Sequence, residues 1–217
     1  MQVINLGESN SVLSSFVAQM RDKKIQKNTL LFRNNLHRTG EIFAYEISKT
    51  LPYEEREIVT PLGIANIALL QDYPVLATIL RAGLPLHQGM LNYFDKSQNA
   101  FITAFRKYEK DGTFEIEVDY LSSPTIDDKI LILADPMLAT GQSMVLAYEE
   151  MLTKGDPVHT HFVSAIASRQ GLEYLQAHVS PSNSTIWIGA VDEELTAHSY
   201  IVPGLGDAGD LAYGIKE

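Results

Sequence analysis

The sequence predicts an α/β protein with a parallel sheet flanked by helices, and three observations carry that expectation. Short apolar runs recur at Val75 to Leu80, Ala100 to Phe105, Lys129 to Ala134, Phe162 to Ala167 and Thr185 to Val191. Each is short, and largely continuous in its apolar character, which reads as a strand buried on both faces. Between several of them lie helical stretches, Leu84 to Tyr93, Ser143 to Leu152 and Gly171 to Ala177. Strand alternating with helix is the βαβ pattern that parallel crossovers require. Finally, 217 residues with 45% hydrophobic content suffice for one substantial core.

The elements follow in chain order. Asn10 to Met20 places Val12, Leu13, Phe16, Val17 and Met20 at helical spacing, and Thr39 to Thr50 repeats the pattern with Ile42, Phe43, Tyr45, Glu46 and Ile47. Residues 1–60 are therefore expected to be helical. The α/β core spans 75–191, interrupted at 107–124 by a polar and aromatic segment. There Asp111-Gly112 stands between Tyr108 and Phe114-Glu115-Ile116-Glu117-Val118, the pattern of a tight-turned hairpin protruding from the sheet. Residues 192–217 form a tail in which Pro203, Gly204, Gly206 and Gly209 surround Asp207 and Asp210, too glycine-rich for a regular element and read as a shaped loop. No internal repeat or linker is visible, so 1–217 reads as a single domain.

Composition excludes several function classes. A net charge of -10 disfavours non-specific binding to nucleic acid, whose phosphates attract clustered Lys and Arg. There is no apolar run of about 18 residues and no basic segment leading into an apolar one at the N-terminus, so a cytoplasmic protein is expected rather than a membrane or secreted one. With no cysteine, chemistry rests on carboxylates, Arg, Lys, His, hydroxyls or bound ions. The six histidines form no His-Glu-x-x-His, and His159 with His161 has no third ligand nearby, so no zinc site is expected. Trp187, inside an apolar run, reads as core.

The sharpest local signal is Ile130-Leu131-Ile132-Leu133-Ala134-Asp135-Pro136-Met137-Leu138-Ala139-Thr140-Gly141-Gln142-Ser143, leading into a helix. A loop at the carboxyl end of a parallel strand lies where α/β sheets bind ligands, and the following helix offers free N–H groups and a positive dipole end to an anion. Gly141 lets the backbone approach a phosphate, with Thr140 and Ser143 as hydroxyl donors. Asp135 at the strand tip can accept bonds from sugar hydroxyls or hold water on a divalent cation. Taken alone, Thr140 to Ser143 is also compatible with an ordinary turn in which Ser143 caps the helix. Neither Gly-x-x-x-x-Gly-Lys-Ser/Thr nor an early Gly-x-Gly-x-x-Gly is present.

Asp135 to Ser143 resembles the loop of type I phosphoribosyltransferases that binds 5-phosphoribosyl 1-pyrophosphate (PRPP), and Asp-Pro-Met-Leu-Ala-Thr-Gly resembles its uracil phosphoribosyltransferase branch. Two further stretches agree. Ile79-Leu80-Arg81-Ala82-Gly83-Leu84 is similar to the family's pyrophosphate-side loop, and Tyr200-Ile201-Val202-Pro203-Gly204-Leu205-Gly206-Asp207-Ala208-Gly209-Asp210 to its uracil-binding tail. The likeness runs from about Thr29, through Thr60-Pro61-Leu62-Gly63, to the C-terminus; residues before about Ile25 match nothing. The family usually has glycine where this chain has Gln142. If that backbone takes a positive φ, Gln costs on the order of 1 kcal/mol.

The resemblance implies a type I phosphoribosyltransferase fold with a C-terminal hood, and conversion of uracil and PRPP to UMP and pyrophosphate. Residue by residue, it implies PRPP contacts from Arg81, Arg106, Asp135, Pro136, Met137, Leu138, Ala139, Thr140, Gly141, Gln142, Ser143 and Asp207, with Asp135, Arg106 and Asp207 closest to the chemistry. Uracil contacts fall to Ile201, Gly206, Asp207 and Ala208. Mg²⁺ is expected mainly on PRPP oxygens and water rather than on a protein cluster. A homodimer or higher homo-oligomer and activation by GTP are implied as well. The hairpin is compatible with a structural ornament or a dimer arm, but a lid is expected, because transfer through an oxocarbenium-like centre competes with water. A nucleotide-sensing regulator that binds RNA, or an enzyme of this fold acting on another base, are the rival readings. The charge of -10 stands against the first and the Gly206-Asp207-Ala208 tail against the second.

Overall fold

A computed structural model describes residues 1–108 and 114–215, with side chains described outside residues 105–118. Asp111 and Gly112, the expected hairpin turn, lie outside the described residues.

The chain opens on a short strand, β1 (Gln2–Asn5), followed by α1 (Val12–Arg21) and α2 (Thr29–Ser48). Each helix begins at a side-chain cap: Ser11 accepts from the Leu13 N–H, and Asn28 from the Leu31 N–H. α2 starts ten residues earlier than the sequence predicts. Its first half buries Asn35, whose side-chain amide donates to Gln19 at 2.9 Å. That buried polar residue interrupts the apolar stripe on which the periodicity rests.

Residues 1–60 are not all helical, which corrects the expectation. β1 lies along the sheet edge, and β2 (Tyr53–Thr60) pairs antiparallel with β3 (Gly63–Leu70) from Tyr53↔Leu70 to Thr60↔Gly63. The ribbon escaped the reading because both its faces are largely exposed, so Tyr-Glu-Glu-Arg-Glu-Ile-Val-Thr carries no period-2 alternation. The Pro61-Leu62 turn is tied by Thr60, whose hydroxyl donates to the Gly63 carbonyl at 3.0 Å.

From there the alternation appears as predicted. β4 (Val75–Leu80), α3 (Gly83–Leu91), β5 (Asn99–Tyr108) and β6 (Phe114–Ser122) precede β7 (Ile130–Ala134), β8 (Met137–Leu138) and α4 (Gln142–Leu152). β9 (His159–Ser164), β10 (Ile166–Ser168), α5 (Arg169–His178), β11 (Ser184–Ile188) and β12 (Val191–Asp192) complete the core. The main sheet has the order β1-β11-β9-β7-β4-β5-β6 and is parallel except for β6, which runs antiparallel to β5. That pairing extends from Phe101↔Ser122 outward, so the hairpin is rooted in the sheet rather than starting at residue 107.

Alternate residues of each strand serve opposite faces. Val75, Ala77, Ile79, Leu131 and Leu133 pack with Val145, Tyr148 and Met151 of α4, whereas Leu76, Ile132, Ala134, Val163 and Trp187 pack with Phe43 and Ile47 of α2 and Leu86 and Met90 of α3. Two covered faces explain why the runs are continuously apolar.

At the carboxyl edge the three strands β7, β9 and β11 each break and resume as β8, β10 and β12, which form a second small parallel sheet. The tail is also more regular than its glycines suggest, a second correction. β13 (Glu194–Leu195) pairs with β14 (Ile201–Val202), and α6 (Ala208–Tyr213) follows. Asp207 makes this short helix possible: its carboxylate accepts the Asp210 N–H at 3.0 Å, an N-cap inside a glycine-rich stretch.

Candidate active site

The break between β7 and β8 places Asp135 at the sheet edge. Its backbone is held on both sides: the N–H donates to Val163 O at 3.0 Å, and the Ser164 hydroxyl donates to its carbonyl at 2.7 Å. Burial pushes the Asp135 carboxyl up to about 7, opposed only by a long contact from the Met137 N–H. A carboxyl so placed gains most by meeting a cation or hydroxyl donors, because its charged form lacks water.

The loop after Asp135 is braced from behind. Ala139 O accepts from the Ser168 hydroxyl at 2.5 Å, and that hydroxyl accepts the Gly171 N–H at 2.9 Å. Gly141 turns the chain into α4 at φ 83, and a Cβ there would lie 2.8 Å from Gly171 O. Only glycine suits both the left-handed backbone and the close approach. The Ser143 N-cap alternative is corrected here: the cap position is Gly141, which has no side chain to occupy it. Gln142 is the first residue of α4 and is absent from the residues with positive φ, so the expected strain does not exist.

One cleft of about 560 Å³ collects the three motifs. Its walls include Ile79 and Leu80 at the end of β4, Arg81 and Ala82 after it, Asp135, Met137 to Gly141 and Ser143 from the stretch leading into α4, and Gly206 to Gly209 from the tail. Arg81, joined to Leu80 by a cis peptide, donates from Nη2 to Asp210 Oδ1 at 3.2 Å and to Gly214 O at 3.3 Å. Asp207 lines the cleft, and its carboxylate also caps α6.

Three predicted residues stand back from the cleft. Pro136 is buried and accepts the Ile166 N–H through its carbonyl at 3.0 Å, Gln142 opens α4 and does not line the cleft, and Ile201 packs in the apolar cluster of Leu13, Val17 and Met20. Arg106 lies in β5, opposite Ile116; its side chain is outside the described residues.

The cleft also holds residues not singled out from sequence: Thr103 and Ala104 at an irregularity in the β5–β6 register, Met144, Ser199 and Tyr200. Thr103 and Ala104 precede Arg106 on the same strand, and Tyr200 begins the tail motif, so adjacency was the available signal. Among the described residues no group of three or more His, Asp or Glu could hold a metal ion. Trp187 is buried, and its indole N–H donates to His161 Nδ1 at 3.0 Å.

A family model described as uracil phosphoribosyltransferase matches residues 8–215. The chain belongs to the uracil phosphoribosyltransferase family. It is 56% identical over 216 residues, 100% of both chains, to a Porphyromonas gingivalis protein described as uracil phosphoribosyltransferase. A Methanothermobacter thermautotrophicus protein of the same description is 40% identical over 185 residues, covering 84% of this chain and 83% of that one. Among solved structures, a protein from Aquifex aeolicus superposes with a TM-score of 0.87 at 30% identity, covering 99% of each chain. Membership in the uracil phosphoribosyltransferase family thus extends to residues 8–25, where sequence motifs gave no signal.

Proposed function

We propose that this protein transfers the phosphoribosyl group of PRPP to uracil, giving UMP and pyrophosphate in pyrimidine salvage. The observation that carries this reading is the convergence of three separated motifs, at Arg81, Asp135 to Ser143 and Gly206 to Gly209, on one cleft.

The α4 N-terminus, Gly141 and the Thr140 and Ser143 hydroxyls hold the 5′-phosphate. Asp135 accepts bonds from the ribose hydroxyls. Arg81 and Arg106 meet the pyrophosphate with charge-assisted bonds that strengthen as it gains charge. On the far side, backbone N–H and C=O groups around Gly206 and Ala208 read the two carbonyls and N3–H of uracil. The C1′–N1 bond forms as the C1′–O bond to pyrophosphate breaks, and the N1 proton is released. Asp207 stands at the junction of the two substrates, and the β5–β6 hairpin excludes water as a lid.

The donor set fits Mg²⁺ carried chiefly by substrate oxygens and water, since Asp135 and Asp207 line the cleft without a third ligand among the described residues. When bound, the cation supplies charge neutralisation at the leaving group. Removing it with a chelator is expected to abolish turnover.

The β2–β3 ribbon supports a homodimer. Val59 is 85% exposed, Leu62 100% and Ile64 67%, and a two-stranded ribbon alone in water is marginal. No described helix is long and apolar enough to cross a membrane, and a cytoplasmic location agrees with that. Activation by GTP belongs to the same reading and is checked by assaying with and without it.

The deciding experiment is a panel of bases with PRPP, followed by ultraviolet absorbance. Uracil is expected to be consumed with stoichiometric pyrophosphate, and cytosine, which reverses two hydrogen-bonding positions, to be poorer by about 10⁴. Turnover of cytosine or a purine in preference to uracil overturns the assignment.

A further inference from the structure

The mechanism above gives the N-terminal residues no task, yet the fold puts them behind the base loop. Arg21, the last residue of α1, reaches Asp192 at the end of β12: Nη1 donates to Oδ2 at 2.7 Å and Nη2 to Oδ1 at 2.8 Å. A guanidinium fork on a carboxylate fixes both groups in one plane. The Asp192 side chain is only 7% exposed, and its Oδ2 also accepts the Gly204 N–H at 3.0 Å. The Gly204 carbonyl in turn accepts from Arg21 Nη1 at 3.2 Å.

Both backbone groups of Gly204 therefore end on a single ion pair. Gly204 lies two residues before Gly206, in the stretch that joins β14 to α6. Beneath it, Leu13, Val17 and Met20 of α1 share a buried cluster with Ile201, Leu205 and Ala208. Arg21 is itself anchored, since the Gln26 amide donates to the Met20 and Arg21 carbonyls at 3.2 and 3.1 Å.

We propose that Arg21 and Asp192 are positioning residues for the base, a clamp that sets the register of Gly206 to Ala208 from the side opposite the substrate. The proposal rests on the reading of the tail as the uracil site. β14 has only two residues and α6 six, so regular backbone pairing cannot fix this loop alone. The ion pair supplies what the ladder lacks. A loop that reads uracil through its own N–H and C=O groups needs that precision, because a shift of about 1 Å can cost 10²-fold in rate. Lysine keeps the charge of Arg21 but not the fork, and asparagine keeps the shape of Asp192 but not the charge.

The test combines steady-state kinetics with amide hydrogen exchange in the intact protein. Arg21→Lys is expected to raise the KM for uracil by about tenfold, a fraction of that limit, and to leave the KM for PRPP within about twofold. Asp192→Asn should do the same, and serves if the first variant folds poorly. In the parent, the Gly204 amide should exchange slowly, and in either variant faster. Fast exchange at Gly204 in the parent, or unchanged exchange in the variants, overturns the clamp. Parallel rises in both KM values also overturn it, since they report general loosening. Faster Gly204 exchange with an unaltered uracil KM also overturns the positioning role, whereas failure of the base-site reading is read separately, as undiminished uracil affinity in Gly206→Val.

Discussion

The phosphate loop and the base-side tail share one cleft but are held by different means. Asp135 and Ala139 are tied into neighbouring strands by Val163 O, Ser164 and Ser168, and β8 pairs directly with β10. Beyond the short β13–β14 ladder, the tail hangs on side chains: Arg21 with Asp192, Arg81 with Asp210, and Asp207 on its own helix. Backbone pairing, at Asp135 N–H to Val163 O and along β8–β10, survives most substitutions of the residues it joins, whereas a side-chain brace, including the Ser164 and Ser168 hydroxyls, is lost with one. The phosphate side should therefore depend less on side-chain supports than the base side, its exceptions being the Ser164 and Ser168 hydroxyls.

The largest effect should come from Asp135, whose backbone is secure and whose carboxyl is not a structural support. Asp135→Asn is expected to lower turnover by about 10² or more, by analogy with the loss of a single electrostatic contact at a reacting centre, without loss of fold. Stability gives an independent check with a definite sign. The native carboxyl is raised to about 7, while an unfolded Asp titrates near about 3.9. Between those values the native state holds the extra proton, so its stability falls as pH rises. Asp135 is only part-buried by its surface, so the asparagine variant should be more stable than the parent above pH 7 by on the order of 2 kcal/mol, and match it near pH 4. Buried His87 and His161, lowered to about 4 and about 3 chiefly by burial, act oppositely, destabilising the fold as pH falls below about 6.5. They are common to both proteins and cancel in the difference. Equal melting at pH 8, or normal PRPP kinetics, counts against the assignment.

Arg81 belongs to both sides, since it lines the cleft and holds Asp210 and Gly214. Arg81→Ala is expected to cost roughly 2 kcal/mol in kcat/KM for PRPP, about 30-fold, as for a charge-assisted bond. Asp210→Asn should cost less, because that pair is part-exposed and such pairs are weak. A rise confined to the uracil KM in the Arg81 variant places this arginine with the tail instead.

Gly206 sharpens the base side further. Its φ of 94 is unfavourable for a side chain, and it faces the cleft. Gly206→Val should block uracil binding and leave PRPP binding in place, as read by calorimetric titration of each ligand. Undiminished uracil affinity removes the tail from the base site.

Much of this was legible because the signals are local. The β4 and β7 runs show their burial in continuous apolar residues, and Asp135 to Ser143 shows its strand–loop–helix order directly. What stayed hidden was either solvated on both faces, like β2 and β3, or distant in sequence. Nothing near Arg21 marks it as the partner of Asp192, 171 positions away, and nothing near Asp192 singles out Arg21 among the cations. The short α6 was hidden for another reason: Asp207 and Asp210 form its first turn around two small residues, a composition that reads as a loop until the cap is seen.

Gln142 should show the smallest effect, and its sign separates two accounts of the phosphate loop. The sequence suggests strain, because a glycine is usual at this position in the family and a positive φ would explain it. In the fold, Gly141 takes the left-handed conformation, and Gln142 opens α4 with its side chain outside the cleft. Glycine at 142 therefore relieves nothing and gives up helix propensity, at most about 1 kcal/mol and less in a first turn. Gln142→Gly is expected to keep activity within about twofold and to lower the melting temperature by about 1–3 °C, given roughly 2–4 °C per kcal/mol at this size. A higher melting temperature would mean that Gln142 carries strain after all. A large loss of activity would give its side chain a contact with substrate, and the loop would then use one more side chain than its sequence position suggests.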